Sequence, residues 1–406
     1  MNNADQLENG PQRPARYYIV RYAIVTAVVQ FFIYKVQDPF YLQFLTTNRG
    51  LALPPMQFSY FVSLASLVCL VPDYMTGVLA DRFGRRPTWA VGLLSYAVAM
   101  IWLSTVSTFV QAIGAAIRMG FSYAFTSGSP EAWVYDAVGQ EGTRQAYGKS
   151  YLYSVPLTIA AAVVATLLGF LSSVRVPVLL SGLPFLATGF FVLTFEENRG
   201  ERNRSWLFTL KAGFVQFGRS PILQLAAVQS FFMTLPVWVN TAWWVTYVVQ
   251  ALHLNASETA LAWGVTALAG VVAGKYISGM KGVRYAYLIV YPSVVMAAAY
   301  VGMALTTSAI PFVGLVALAL TGSYFRGSGF SLLQNSQITH ERATALSFLN
   351  TLRSGFWFAA PPLWGALIAH AGLKITFAVS SAACLLSLLL LLPALRLERQ
   401  SASGRV

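Results

Sequence analysis

An ionisable pair, Lys35 and Asp38, interrupts the apolar stretch FFIYKVQDPFY, residues 31 to 41. A carboxylate three residues from an ammonium group can pair with it across one helical turn. The same carboxylate can take up a proton, lose its charge and release its partner. Gln30, Tyr34, Asp38 and Tyr41 follow the i, i+4, i+8, i+11 spacing of one helical face, and Pro39 loosens the helix behind them. Arg118, Arg326 and Arg353 stand in similarly apolar surroundings. Asn350, Arg353 and Trp357 share a second polar face. Gln229, Met233, Asn240, Trp243, Trp244 and Tyr247 form a third, broken at Pro236.

These side chains must be positioned by elements that live in lipid. The 406 residues are 56% hydrophobic and only 10% charged, where a soluble domain carries about 25%. Each ionised group in a bilayer core costs roughly 2.5–3.5 kcal/mol on insertion scales, so their retention points to function. Twelve apolar runs are long enough to span, near 19–46, 55–80, 87–108, 110–137, 150–172, 175–195, 221–250, 258–279, 285–306, 309–335, 343–370 and 373–395. The first is too long for a signal peptide and has no small-residue cleavage site, so it reads as a retained span.

The polar interruption from Glu196 to Pro221 divides the runs into six plus six and has room for an amphipathic helix over 206–217. The expected organisation is a cytoplasmic tail (1–18), a six-helix bundle (19–195), a linker (196–220), a second six-helix bundle (221–395) and a tail (396–406). With the N-terminus inside, twenty of the 27 Lys and Arg residues fall on cytoplasmic segments. Arg49, Arg175 and Lys374 fall outside. Lys35, Arg118, Arg326 and Arg353 fall within spans. This is the positive-inside pattern; it accounts for most of the +13 net charge and makes nucleic-acid binding unnecessary. Both termini are expected in the cytoplasm. A weak echo between SGSPEAWVYDAVGQEGTRQA (127–146) and RGSGFSLLQNSQITHERATA (326–345) supports two related halves with a site near mid-membrane.

Between the second and third runs the chain reads GVLADRFGRRPT, residues 77 to 88. This resembles the loop signature of the major facilitator superfamily at Gly77, Leu79, Asp81, Arg82, Gly84, Arg85 and Arg86. SGSPEAWVYD (127–136) and ERATALSFLN (341–350) are similar to stretches of bacterial exporter-like members. The resemblance implies an all-α integral membrane protein of 12 transmembrane helices in two six-helix bundles. It also implies a conformational latch. Asp81 would accept from a facing helix N-terminus, and Arg82, Arg85 and Arg86 would pair with Glu131 or Asp136. Asp73 fits either the latch or a protonation site, and the latch is preferred.

In that family spans 1, 4, 7 and 10 line the central path, with 2, 5, 8 and 11 beside it, so a shared wet cavity is the cheapest account of the buried charges. Asp38, with Lys35 and Arg118, is expected to couple protons. Gln30, Tyr34, Arg118, Asn240, Trp243, Trp244, Arg326, Asn350, Arg353 and Trp357 are expected to bind substrate. Four cations against one central acid favour an anionic or zwitterionic solute. Two family patterns are incomplete: Gly120 stands one position early in the fourth-span arginine motif, which lacks its Gln, and Pro156 lacks a glycine partner in the fifth span.

No nucleotide-binding loop, Cys/His cluster or H-E-x-x-H motif is present, so no cofactor, metal or enzymatic activity is expected. The two cysteines, Cys69 and Cys384, lie in apolar runs and imply no disulfide framework. The leading expectation is a proton-coupled exporter of a small organic molecule, drug-like or a secreted metabolite such as a siderophore. It would work as a monomer among lipids of a bacterial inner membrane. Uptake of an anionic or sugar-like nutrient, lipid flipping, or a non-transporting membrane receptor are the alternatives.

Overall fold

The computed structural model describes residues 13–126, 129–171, 173–197, 217–218, 221–279, 284–336 and 342–402. Within helices the backbone alone is described at several positions, residues 71–83 and Asn350 among them. The expected tail residues 1–12, most of the linker and nearly all of its amphipathic segment lie outside the described residues.

Helices account for the fold. They are α1 (Ala15–Val28), α2 (Tyr34–Thr46), α3 (Pro55–Phe83), α4 (Arg85–Thr105), α5 (Phe109–Thr126), α6 (Ser129–Leu152), α7 (Ser154–Leu168), α8 (Arg175–Leu193), α9 (Pro221–Trp238), α10 (Trp244–Gln250), α11 (Ala256–Gly279), α12 (Tyr285–Leu305), α13 (Ala309–Ser336) and α14 (Arg342–Ala402). Pro55 and Pro221 occupy first helical positions, where a missing N–H costs nothing. Two turns of π-helix join α1 to α2 (Val29–Ile33) and α9 to α10 (Val239–Trp243). Gly139 and Gly372 break α6 and α14 with φ of 68° and 78°, so each comprises two helices joined at a left-handed residue.

Nine helical segments among the described residues are long and apolar enough to cross a membrane, the longest being Thr351–Pro393, which contains the Gly372 break. In a bilayer a helix satisfies all its backbone hydrogen bonds internally, which is why apolar runs of this length take no other form.

The chain divides into two compact units. One comprises residues 1–52, 64–204 and 256–264; the other comprises 53–63, 205–255 and 265–406. In the first, α4 packs along α8 and α5, and α1 along α6. Gly120 on α5 allows the close crossing of α3, since a Cβ there would press on the Ala65 carbonyl. Ser122 Oγ donates to Gly92 O at 2.7 Å, satisfying a hydroxyl that lipid could not. An aromatic core joins Tyr18, Trp89, Trp133 and Phe195, with ring centroids 5.2–6.1 Å apart. In the second unit, α12 packs on α13 and α14, and α9 on α14. Its buried apolar cluster is built from Ile289, Leu333, Leu388 and Leu391.

Candidate functional site

Asp38 and Lys35 lie on α2, one to two turns beyond the π turn, and both are half-buried. A π turn inserts an extra residue into the helix and rotates the residues beyond it, and such turns concentrate at functional sites. Among the described residues no ion pair within 4.0 Å joins Asp38 to Lys35 or to Arg118, although Lys35 is the charge acting on Asp38. Instead Asp38 lies within electrostatic reach of three phenols, Tyr34, Tyr41 and Tyr123. Gln37 Nε2 donates to Tyr96 OH at 2.8 Å, and the Tyr96 and Tyr123 hydroxyls are 3.4 Å apart. Tyr34 and Tyr96 meet edge-on at 5.7 Å, and both rest against Phe185.

Asp38 therefore lies near a group of tyrosines rather than in an ion pair. Gln37, Tyr96 and Tyr123 were not among the expected site residues. Gln37 falls off the spacing of the Gln30–Tyr34–Asp38–Tyr41 face. Tyr96 and Tyr123 are single polar groups in long apolar helices, with no local pattern to mark them.

Arg118 is exposed on α5, and so is Arg353 on α14, where Trp357 is half-buried. The Asn350 side chain lies outside the described residues. Arg326 is different. It is 5% exposed and has no carboxylate partner among the described residues. Its Nε donates to Ser293 Oγ at 3.0 Å, and its Nη2 to Gln229 Oε1 at 2.7 Å and Ser387 Oγ at 3.0 Å. Those partners lie on α12, α9 and α14, so one guanidinium on α13 ties four helices. Neutral acceptors offset part of the cost of burying the cation.

The second π turn presents Asn240 and Trp243, each 2% exposed. Neither Asn240 Oδ1 nor Nδ2 has a hydrogen-bond partner among the described residues, nor does Trp243 Nε1. Trp244 is wholly buried beside them. Trp243 packs edge-on against Phe58 and Trp238, at 5.3 and 5.7 Å.

At the start of α4, the Arg85 guanidinium pairs with Asp136 and also bonds the Ala132 carbonyl. The backbone N–H groups of Arg85 and Arg86 donate to Glu197 Oε1 at 2.8 and 3.3 Å. Arg86 Nε lies 3.5 Å from Glu197 Oε2, and its Nη1 donates to Phe195 O at 2.8 Å. Glu197 thus caps the positive end of α4. Gly84, with φ of 112°, makes room: a Cβ there would lie 2.5 Å from that carboxylate. The adjoining backbone is gripped as well, since Trp133 Nε1 donates to Glu196 O at 2.9 Å and Glu196 N–H to Tyr17 OH at 3.1 Å.

Glu131 stands apart from this cluster and accepts from Tyr22 OH at 3.4 Å. The side chains of Asp73, Asp81 and Arg82 lie outside the described residues, and Gly77 contributes only backbone to α3. Among the described residues no group of three His, Cys, Asp or Glu could hold a metal.

Three solved structures share this architecture. A mutant of the nucleoside transporter NupG has 13% identity over 93% of this chain and 99% of its own, with a TM-score of 0.77. A D-xylose-proton symporter has 14% identity over 92% and 96%, at 0.70. A bacterial homolog of the human lysosomal transporter Spinster, inward-facing and unoccupied, has 12% identity over 95% and 96%, at 0.69. At such identities the likeness is one of fold. No curated protein matches the sequence. A family model described as the Major Facilitator Superfamily matches residues 23–361. The chain belongs to the Major Facilitator Superfamily of membrane transporters.

Proposed function

We propose that the chain is a proton-coupled exporter of a small organic molecule, drug-like or a secreted metabolite such as a siderophore. It works by alternating access as a monomer in a bacterial inner membrane, with both termini in the cytoplasm. The observation that carries this reading is Asp38: a carboxylate in the middle of a span, held by no ion pair among the described residues and bordered by Tyr34, Tyr41 and Tyr123. A group so placed is maintained at a cost in lipid and can exchange its proton without breaking a structural bridge. Lys35 is the neighbouring positive charge whose attraction protonation of Asp38 would weaken. Gln30, Tyr34, Asn240, Trp243 and Trp357 offer hydrogen bonds and ring faces to a solute. Arg326 serves better as the clamp that shapes the second unit. The Arg85–Asp136 pair and the Glu197 cap act as the latch.

A second reading, uptake by symport, draws support from two structural neighbours, a D-xylose-proton symporter and a nucleoside transporter. The hydrogen-bonding run Gln37–Tyr96–Tyr123 would suit a hydroxylated solute. Reconstitution separates the two readings. Liposomes holding the purified chain are given a mixture of organic solutes under a proton gradient of either sign, and their contents are read by mass spectrometry. Exchange of solute against protons supports export, co-directional movement supports uptake, and no flux under any gradient overturns both.

A further inference from the structure

Within the first unit, a cavity of about 100 Å³ opens beside the π turn of the first span. Its polar lining residues are Thr26, Gln30, Thr126 and Glu131, and its aromatic ones are Tyr34 and Trp89. Among the described residues no lysine or arginine lines it. Glu131 is its one ionisable acid, and among the described residues no cation lies within ion-pair distance of that carboxylate. Arg85, on the same helix as Trp89, is committed to Asp136 and the Ala132 carbonyl. The one side-chain hydrogen bond to Glu131, from Tyr22 OH at 3.4 Å, is long for an O–H donor. Tyr22 in turn packs against Trp89 and Tyr147, with centroids 6.3 and 5.7 Å away.

An unneutralised carboxylate, the electron-rich faces of Trp and Tyr, and side-chain oxygens within one small cavity are the complement of a positively charged nitrogen. Each part alone is ordinary; together they place a carboxylate with no cation at ion-pair distance among the described residues beside two aromatic side chains in one small cavity. The volume suits a head group, whereas pockets that enclose whole drug-sized ligands run to about 300 Å³ or more. Asp38 cannot fill this role from its own position, because Asp38 is not part of the lining.

We propose that this cavity is a subsite for an ammonium group, from a primary amine up to a trimethylammonium, carried by the transported solute. The inference rests on the transporter reading and narrows its substrate class: the solute is cationic or zwitterionic, and its positive end is held by Glu131 against Trp89 and Tyr34. The positive sign expected from Arg118, Arg326 and Arg353 then applies to other parts of the solute, or to none.

The test is ligand-observed saturation-transfer NMR on the purified full chain in detergent. The probe is choline, with its uncharged isostere 3,3-dimethyl-1-butanol alongside. Choline should bind saturably, compete with tetramethylammonium, and exceed the isostere by about ten-fold in affinity. Glu131→Gln should remove that preference, and Glu131→Asp should keep it at reduced affinity. Thr126→Lys, which places a cation inside the cavity and leaves Glu131 intact, should abolish choline binding. That variant decides the matter if Glu131→Gln does not fold. Equal binding of choline and its isostere by the wild type, or choline binding unchanged in Glu131→Gln and Thr126→Lys, overturns the subsite. Proteoliposomes keep the two claims apart. Flux confined to neutral and anionic solutes overturns the subsite and leaves transport standing. Choline binding without flux of any solute overturns transport and leaves the subsite standing.

Discussion

Glu197 Oε1 accepts from the backbone N–H of Arg85 at 2.8 Å and of Arg86 at 3.3 Å, although more than a hundred residues separate them in the chain. Glu197 lies four residues beyond the end of α8 at Leu193. It faces the exposed N–H groups that begin α4. Movement of Glu197 away from the start of α4 would release this helix cap. This ties the junction of α3 and α4 at Gly84 to the segment after α8 through a charge-assisted contact rather than through the arginine side chains alone.

Glu197→Gln should keep the cap's geometry and lose its charge, and Glu197→Ala should lose both. The alanine variant should be destabilised by about 1 kcal/mol, as for other lost caps, and glutamine by less. Thermal unfolding of the detergent-solubilised protein reads the difference. Equal melting of all three proteins would show that the contact carries no weight.

Arg326→Ala removes the donor to Gln229 Oε1 and the tie among four helices, while the Ser293 and Ser387 hydroxyls keep their bonds to Ile289 O and Cys384 O; a buried polar group left unpaired costs roughly 1–3 kcal/mol. Severe destabilisation is the expected outcome, with Arg326→Lys intermediate because an ammonium reaches fewer of the three acceptors. Wild-type melting of the alanine variant would contradict the four-helix clamp.

Asn240→Leu tests the opposite situation. Both polar atoms of Asn240 are buried without a partner among the described residues, so an apolar side chain of similar shape should leave the melting temperature unchanged or raise it. If the amide serves a solute, transport falls in the same variant. A variant that is both less stable and fully active would place Asn240 among structural residues instead.

Much of the fold could be read from the chain because its spans are long, apolar and bounded by charge. Helical spacing placed Gln30, Tyr34, Asp38 and Tyr41 on one face, but the π turn falls among them, and Gln30 and Tyr34 line a cavity that Asp38 does not; the Arg85–Asp136 pairing was among those that the loop signature implied. The rest is three-dimensional. Tyr123 comes within reach of Asp38, and its hydroxyl lies 3.4 Å from that of Tyr96, where α4 and α5 cross tightly at Ser122 and Gly92. Arg326 carries no mark in sequence to distinguish a saturated guanidinium from one open to a ligand; its three partners lie 33 to 97 residues away. Glu131 and Asp136 sit five residues apart on α6, yet one packs with Tyr22 and the other with Arg85. The π turns are equally silent, since neither VQFFI nor VNTAW contains a helix breaker.

The central claim is that Asp38 couples solute movement to protons, and one comparison tests it most directly. Purified wild-type and Asp38→Asn proteins are reconstituted at equal density, and net solute flux driven by an imposed pH gradient is measured beside solute-for-solute exchange without a gradient. The account predicts that the asparagine variant keeps exchange and loses the gradient-driven component. Gradient-driven flux of wild-type size in Asp38→Asn would contradict it.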